Sequence, residues 1–390
     1  MLVLSFQIAG DYSMADLNDV ITDRRRQTRS SIYHYLYASS APCSKQEIAR
    51  DLNLSLPTVY QNVAELLDAG LIEYAGAGQS LGGRPAMKLR IVADARVAIG
   101  ISITGHRLRF TAADLSREET AYKDLAHQLN VEDEHYAEFV ARQLELFIDE
   151  NSIDRSKLLG IGITLAGIII PEEQTVFYAP TLYIRNVSLK KLIEAIPYPV
   201  YTENDANSGG FAEWFGSNER ESMAFLSLAD GVGGAVLVNG DQYAGKNYRS
   251  GEFGHMCVEW NGLPCACGKK GCLEAYCNVQ RLSGNLGITL EEFFRGLDAG
   301  NPDYIRLWED FLRHLAIGIH NIRMVLDCDI VLGGYFSEYL KPRLPELKAM
   351  LIDMDPFDSE CNYVRISRYS KYSAMLGVAL YFIRDFLNGI

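Results

Sequence analysis

The sequence predicts an α/β protein in two parts: an N-terminal winged helix-turn-helix followed by a larger α/β body. Three observations carry this. Residues 44–74 hold two helical periods separated by a short turn, and two strand-like runs joined by a Gly-rich loop complete the module by residue 92. From Ala95 onward, apolar strands alternate with amphipathic helices. Inside that second part, residues 251–277 pack one histidine, five cysteines and three carboxylates into 27 positions, GEFGHMCVEWNGLPCACGKKGCLEAYC.

At 390 residues the chain has room for two or three domains, each able to bury a core. Its net charge is −13, but residues 21–92 carry nine Lys/Arg against six Asp/Glu, a local +3 that leaves −16 elsewhere. A mildly basic module on an acidic body fits a small nucleic-acid reader attached to a soluble domain. No apolar run reaches the length of a membrane span, and the opening MLVLSFQIAG has no basic flank, so a cytoplasmic protein is expected. Residues 1–13 read as a start-site extension or a short tail before Met14.

In the first module, Ile32 and Leu36 lie on a helical repeat that stops at Ala41-Pro42, with Arg24, Arg25, Arg26 and Arg29 at its start. Those arginines suit either phosphate contact or a solvated face. Ser44 and Glu47 are spaced as a capping box, and Ile48, Ala49 and Leu52 face inward. Ser55 caps the next helix, with Pro57 in its first turn and Val59, Val63, Leu66 and Leu67 as the buried stripe. The expected outward face carries Thr58, Tyr60, Gln61 and Asn62, side chains able to meet phosphates and base edges. Gly70 ends the helix, and the wing follows.

In the cysteine-rich stretch, His255, Cys265, Cys267 and Cys272 stand as H-x9-C-x-C-x4-C, with Gly262, Pro264, Gly268 and Gly271 supplying turns. Three thiolates and an imidazole suit a closed tetrahedral Zn2+ site. Disulfides are not expected without a secretory signal. Cys257 and Cys277 lack the spacing and are expected as packed thiols. Glu252 and Glu274 flank the cluster, so a metal that fixes the loop also fixes two acceptors at its edges.

GEFGH at 251–255 followed by CACGKKGCLE at 265–274 resembles the signature of the ROK family, which contains bacterial sugar kinases and sugar-responsive transcriptional regulators. The resemblance runs from about Ile21 to the C-terminus. It implies a two-lobed, actin-like (ribonuclease-H-like) sugar-kinase fold over 95–390. The small lobe would be about 95–203 plus a C-terminal helix 372–388, and the large lobe about 204–371. Glu203-Asn204-Asp205-Ala206-Asn207 resembles the family's ENDAN, which aligns Asp205 with the kinases' general base. Gly167 stands at a turn that lines the sugar in the family. Gly83-Arg84-Pro85 resembles the minor-groove-reaching linker of ROK regulators.

Two departures from the kinase pattern concern phosphate. The family's GIDIGGT turn is here Gly100-Ile101-Ser102-Ile103-Thr104-Gly105-His106, so Ser102 removes a carboxylate that serves Mg2+. The family's GTGVGGG turn has Ala229 and Asp230 at its Gly-Thr positions, which sets a carboxylate where a polyphosphate would lie.

The resulting expectation is a sugar-responsive regulator, a repressor of carbohydrate-utilisation genes and not an enzyme. Its ligands would be one structural Zn2+, operator DNA and a sugar, and it would form a homodimer or homotetramer away from membranes. DNA contacts are assigned to Ser55, Thr58, Tyr60, Gln61, Asn62 and Arg84. Sugar contacts are assigned to Gly167, Asn204, Asp205, Glu252, His255 and Glu274, and the metal to His255, Cys265, Cys267 and Cys272. The alternatives are an ATP-dependent sugar kinase with an accessory DNA-binding domain, kept open by Asp205, and a zinc hydrolase, which a fully protein-ligated metal disfavours.

Overall fold

Backbone packing in the computed structural model divides the chain into Met1–Ala95 with Arg384–Ile390, and Arg96–Ile383. The structure describes residues 14–39, 41–77, 86–217, 221–369 and 372–390. Residues 1–13 and the Gly83-Arg84-Pro85 linker lie outside these. The expected division ran 21–92 and 95–390. In the structure the last residues, Arg384–Ile390, fall with the N-terminal unit.

The first unit has helices Met14–Ala38, Lys45–Asp51 and Leu56–Asp68, the first beginning well before the arginine run. Strands Cys43–Ser44, Met87–Ile91 and Ile72–Ala77 form one antiparallel sheet in that order. Local chemistry sets the helix ends. The Ser44 side chain accepts the Glu47 N–H at 3.2 Å while Glu47 accepts the Ser44 N–H at 2.6 Å, the reciprocal capping box. Ser55 Oγ accepts the Thr58 N–H at 3.3 Å. Gly70, at φ +66°, takes the left-handed exit after Leu56–Asp68. Ile32, Tyr33, Ile48, Val59, Val63, Leu66 and Leu89 form the core.

The second unit contains two five-stranded sheets. One runs Val200–Asn204, Leu158–Leu165, Val97–Ile103, Arg107–Asp114, Glu119–Ala126. The other runs Asp241–Gln242, Val232–Val238, Met223–Leu228, Asp329–Gly333, Val364–Ile366. In each, the first three strands in chain order make antiparallel hairpins, and the fourth and fifth lie parallel to the first. Helix Glu134–Glu150 precedes the fourth strand of one lobe and helix Pro302–Leu326 that of the other. The same plan is thus built twice, and the cysteine-rich stretch is inserted into the second copy. Ile99, Phe110, Val140 and Phe147 are buried in the first lobe's core, and Leu226, Phe293, Trp308 and Phe311 in the second's.

Each lobe is closed by the helix that follows the other lobe's sheet. Helix Asp205–Ser217 packs on Met223–Leu228 and Val232–Val238. Helix Ser373–Asn388 lies so close to the first sheet that a Cβ on Gly100 would stand 1.9 Å from the Met375 carbonyl oxygen, and one on Gly162 2.5 Å from that of Val378. The two helices meet at Gly377, where a Cβ would stand 1.7 Å from the Ser208 oxygen. Helix Asp205–Ser217, which carries Ser208, begins at Asp205.

A small sheet that sequence patterning does not announce, Ile168–Ile170, Thr175–Ala179 and Ile184–Ser188, follows Gly167. Among the described residues, no helix is long and apolar enough to cross a membrane.

Candidate functional site

The cysteine-rich stretch folds as a ribbon. Isolated antiparallel bridges Cys257↔Cys272 and Pro264↔Lys270 pair its two arms. Gly268 and Gly271 turn at φ +83° and +77°, and a Cβ on Gly271 would stand 1.8 Å from the Glu259 carbonyl oxygen. The ribbon gathers His255, Cys265, Cys267 and Cys272 so that their ligand atoms all lie within 4.8 Å of one another. Cys267 and Cys272 Sγ are 3.7 Å apart, and Cys265 Sγ is 3.9 Å from His255 Nδ1. Thiolates bound at ~2.3 Å to a tetrahedral metal stand roughly 3.8 Å apart, so the donors fit a closed four-coordinate ion in type, number and spacing. Cys277 is buried, as expected, with its thiol donating to the Phe311 carbonyl at 3.6 Å. Cys257 is a correction, because it is exposed and not packed. It occupies the solvent edge of the ribbon.

The cluster of three cysteines and one histidine adjoins a group of acids. His255 turns Nδ1 toward Cys265 and Nε2 toward Glu252, whose Oε2 is 3.9 Å away. Burial raises the Glu252 carboxyl, the Asp205 and Glu274 charges raise it further, and His255 and Arg249 oppose them. Burial also raises Asp205, against the hydrogen bond its Oδ1 accepts from the Ala206 N–H at 2.9 Å. Glu274 Oε2 accepts the Val232 N–H at 3.0 Å, and its Oε1 faces Cys265 Sγ at 3.9 Å. The fold therefore brings Asp205, Glu252, His255 and Glu274 together, as acceptors and one donor-acceptor suited to ring hydroxyls.

Asn204 is held by two hydrogen bonds within the fold. Its Oδ1 accepts the Asn207 N–H at 2.9 Å, capping helix Asp205–Ser217, and its Nδ2 donates to the Gly167 carbonyl at 2.8 Å. One amide hydrogen remains for a ligand. Gly167 itself sits at φ +115°, and a Cβ there would stand 2.5 Å from that of Ala179.

Sequence reasoning missed two features here. Glu203 is buried one residue before Asn204, and burial raises its carboxyl. It accepts hydrogen bonds from the Asn204 N–H at 2.8 Å, Tyr201 hydroxyl at 2.9 Å and Asn207 Nδ2 at 3.2 Å. The Tyr248 hydroxyl donates to Glu172 at 2.6 Å, joining the loop before Gly251 to the turn between the first two strands of the small sheet. No local pattern signals either, because the partners are set by tertiary packing.

The turns at Ser102–His106 and Ala229–Asp230, expected from the resemblance to depart from a phosphate-binding pattern, are held by bonds within the fold. The Thr104 hydroxyl accepts the Arg107 N–H at 3.2 Å, tightening that hairpin, and Ser102 is half-buried beside it. Asp230 Oδ1 accepts the Tyr335 hydroxyl at 2.6 Å and Gln280 Nε2 at 2.7 Å, and its backbone oxygen accepts Asn278 Nδ2 at 2.5 Å. Tyr335 follows the Gly333-Gly334 end of the fourth strand.

In the N-terminal unit, Tyr60 is 51% exposed and Gln61 is also exposed, with Lys45 Nζ 4.4 Å from the Tyr60 ring centre and 5.6 Å from that of Tyr74. The Ser55 and Thr58 hydroxyls bond each other at 2.7 Å at the helix start. Asn62 is a correction: it is 2% exposed, with Nδ2 donating to the Thr58 carbonyl at 2.9 Å. Spaced three after Val59 and four before Leu66, it belongs to the inward stripe. Arg25 and Arg29 both hold Glu65 at 3.0 Å, fastening the first helix to the third, while Arg26 is exposed. The side chain of Arg24 and all of Arg84 lie outside the described residues.

A profile described as the ROK family matches residues 98–384, and one described as a helix-turn-helix domain matches 27–75. The chain belongs to the ROK family. This ROK protein is 26% identical over 368 residues to the putative xylose repressor of Caldicellulosiruptor sp. (strain Rt8B.4), covering 88% of this chain and 92% of that one. It is 29% identical over 391 residues to the DNA-binding transcriptional dual regulator NagC of Escherichia coli (strain K12), covering 94% and 95%. Among solved structures it resembles a ROK family transcriptional regulator described as a homolog of the E. coli MLC protein, with TM-score 0.74, 20% identity, and 94% and 97% coverage. The ROK hexokinase from Thermus thermophilus gives TM-score 0.60 and 24% identity over 75% of this chain and 100% of its own. The two structural likenesses establish the fold. The two sequence relatives named here, which match 88% and 94% of this chain, carry regulator names.

Proposed function

We propose that this ROK protein is a sugar-responsive transcriptional regulator, a cytoplasmic repressor of carbohydrate-utilisation genes. It would bind operator DNA through its helix-turn-helix and a sugar between the lobes of its second unit. The single observation that carries the reading is the pairing of a convergent acid cluster with a phosphate turn whose Asp230 is held by Tyr335 and Gln280. A hydroxyl-binding site remains, while the place for a triphosphate carries a hydrogen-bonded carboxylate that repels phosphate.

In this reading Zn2+ binds His255 Nδ1 and the thiolates of Cys265, Cys267 and Cys272. It supplies no reactive position, and it holds the ribbon so that Glu252, His255 Nε2 and Glu274 face the sugar. Asp205, the kinase-base equivalent, accepts a sugar hydroxyl without a phosphoryl donor to complete a transfer. Asn204 acts by fixing the Gly167 turn and offering its remaining amide hydrogen. Tyr60, Gln61, Thr58 and Ser55 meet the DNA, with Arg84 reaching the minor groove. Sugar that favours one lobe arrangement shifts the spacing of paired DNA-binding units in a homodimer or homotetramer, by no more than its differential affinity for the two states.

The kinase alternative retains one favourable observation, the placement of Asp205 at the head of helix Asp205–Ser217. Binding of the purified protein to promoter DNA from its own genomic neighbourhood, with and without a panel of aldoses and amino sugars, tests the proposal. Sugar-dependent change in DNA affinity is expected. Absence of DNA binding under all conditions contradicts it.

A further inference from the structure

Cys257 is the one exposed cysteine among the eight, and it lies directly across the ribbon from a metal ligand. The hydrogen bonds define which kind of cross-strand neighbours Cys257 and Cys272 are. Val258 N–H donates to the Gly271 oxygen at 2.8 Å, and Leu273 N–H donates to the Met256 oxygen at 2.8 Å. The bonds flank the pair and do not join it, so Cys257 and Cys272 form a non-hydrogen-bonded antiparallel pair. In such pairs the Cα atoms stand about 4.5 Å apart and both side chains leave the same face. That separation lies within the span a disulfide bridges. A Cβ on Gly271, next to Cys272, would stand 3.4 Å from Cys257 Sγ, so that sulfur lies against the backbone beside Cys272. Yet Cys257 is not among the four residues whose donor atoms converge on one point. It is a thiol poised beside the tetrad and outside it.

We propose that Cys257 and Cys272 are a peroxide-sensitive pair, whose disulfide removes Cys272 from the metal and opens the ribbon. Exposed Cys257 is the sulfur a hydroperoxide reaches first. Attack of its sulfur on the peroxide breaks the O–O bond and leaves a sulfenic acid plus one water or alcohol. The Cys272 thiolate then attacks that sulfenic sulfur: the S–S bond forms, the S–O bond breaks, and the oxygen leaves as hydroxide that takes a proton from solvent to become water. Two thiols have given two electrons to one peroxide, and the metal has lost one of four ligands. With three donors left, the ion is exposed to exchange and the ribbon loses its staple. Such a bond is transient in a reducing compartment, as befits a sensor, and thiol reductants reverse it. The inference rests on the metal assignment above, and its effect on sugar binding rests on the acid cluster.

The test uses the full-length, zinc-loaded protein treated with hydrogen peroxide. Free thiols are counted by alkylation and mass, disulfides are mapped by peptide fragmentation, and released zinc is read with a chromogenic chelator. The expected result is two fewer alkylatable thiols, a Cys257–Cys272 linkage and zinc release, all reversed by dithiothreitol and added zinc. Cys257→Ser, an exposed position outside the tetrad, is expected to fold, keep its zinc and release it at least about tenfold more slowly at the same peroxide dose. Linkage confined to Cys265, Cys267 and Cys272, or equal zinc release from Cys257→Ser, overturns the proposal. The sugar-induced rise in melting temperature is measured separately on reduced and oxidised protein. Its loss on oxidation extends the proposal to the sugar site, whereas no rise in either form refutes the sugar reading and leaves the thiol chemistry judged by the first readouts.

Discussion

The Tyr335 hydroxyl donates to the Asp230 carboxylate at 2.6 Å, across the gap between the second lobe's first hairpin and the end of its fourth strand. Burial and the neighbouring carboxylate push the Tyr335 hydroxyl's pKa up, so it stays a donor at any physiological pH. Gln280 Nε2 donates to the same carboxylate oxygen at 2.7 Å.

The metal should be separable from the fold. Cys265→Ser or Cys272→Ser is expected to lower bound zinc below one per chain and weaken sugar binding by about 1–3 kcal/mol through the loosened Glu252 and Glu274. None of the four tetrad residues belongs to the buried core of either lobe, so circular dichroism should change little. Metal analysis on purified variants checks this, and full zinc occupancy in both contradicts the coordination proposed.

Tyr60, Gln61 and Asn62 are adjacent in sequence but face differently, and substitutions should sort them. Gln61→Ala is expected to cost about 1–3 kcal/mol of operator affinity with an unchanged melting temperature. Asn62→Ala should lower the melting temperature of the N-terminal unit, because it removes the bond to the Thr58 carbonyl from a 2% exposed site. Gel-shift titration and calorimetry on the same preparations distinguish the two.

Asn204→Ala should act at a distance on Gly167. Loss of the cap and of the 2.8 Å bond to the Gly167 oxygen is expected to cost about 1–2 kcal/mol of stability and to weaken sugar binding. Gly167→Ala should weaken it more, since φ +115° and the Ala179 contact both reject a Cβ. Equal sugar affinity in wild type and both variants would show that this turn does not line the site.

Glu47 carries a pH signature. The Lys88 ammonium, 2.6 Å away, and the Ser44 N–H hold its carboxyl at about 2, below the ordinary value of 4.5. A lowered folded pKa contributes stability that is complete above the unfolded value and is lost as pH falls toward the folded one. The melting difference between wild type and Glu47→Gln should therefore be largest at neutral pH and shrink between about pH 4.5 and 2. Glu47 is partly solvated, so the difference is expected to be modest. A difference that does not vary with pH contradicts the pairing.

Much of this was legible because it is local. Ser44-x-x-Glu47 is a complete capping box within four residues, Gly70 ends its helix by itself, and H-x9-C-x-C-x4-C fixes four donors in one loop. The strand periods around Val97 and Met223 likewise name both sheets. What escaped depends on partners far along the chain. Tyr335 lies 105 residues from Asp230, Glu172 lies 76 from Tyr248, and Glu203 is recognisable as buried only once Gln242 arrives from the other lobe. Asn62 was misplaced for a different reason: a polar side chain on an inward stripe looks outward until its bond to the preceding turn is seen. Cys257 was misjudged because cysteines are so often buried that spacing alone cannot show one lying on an edge.

The central claim is that a hydroxyl-binding cleft persists where triphosphate cannot be handled, and one paired measurement tests it most directly. Zinc-loaded protein is screened by thermal shift against aldoses, amino sugars and Mg-ATP, with ADP release followed in the same samples. The account predicts that a sugar raises the melting temperature while Mg-ATP does not, and that no sugar-dependent ADP appears. Sugar-dependent ADP release, abolished by Asp205→Asn, would contradict it.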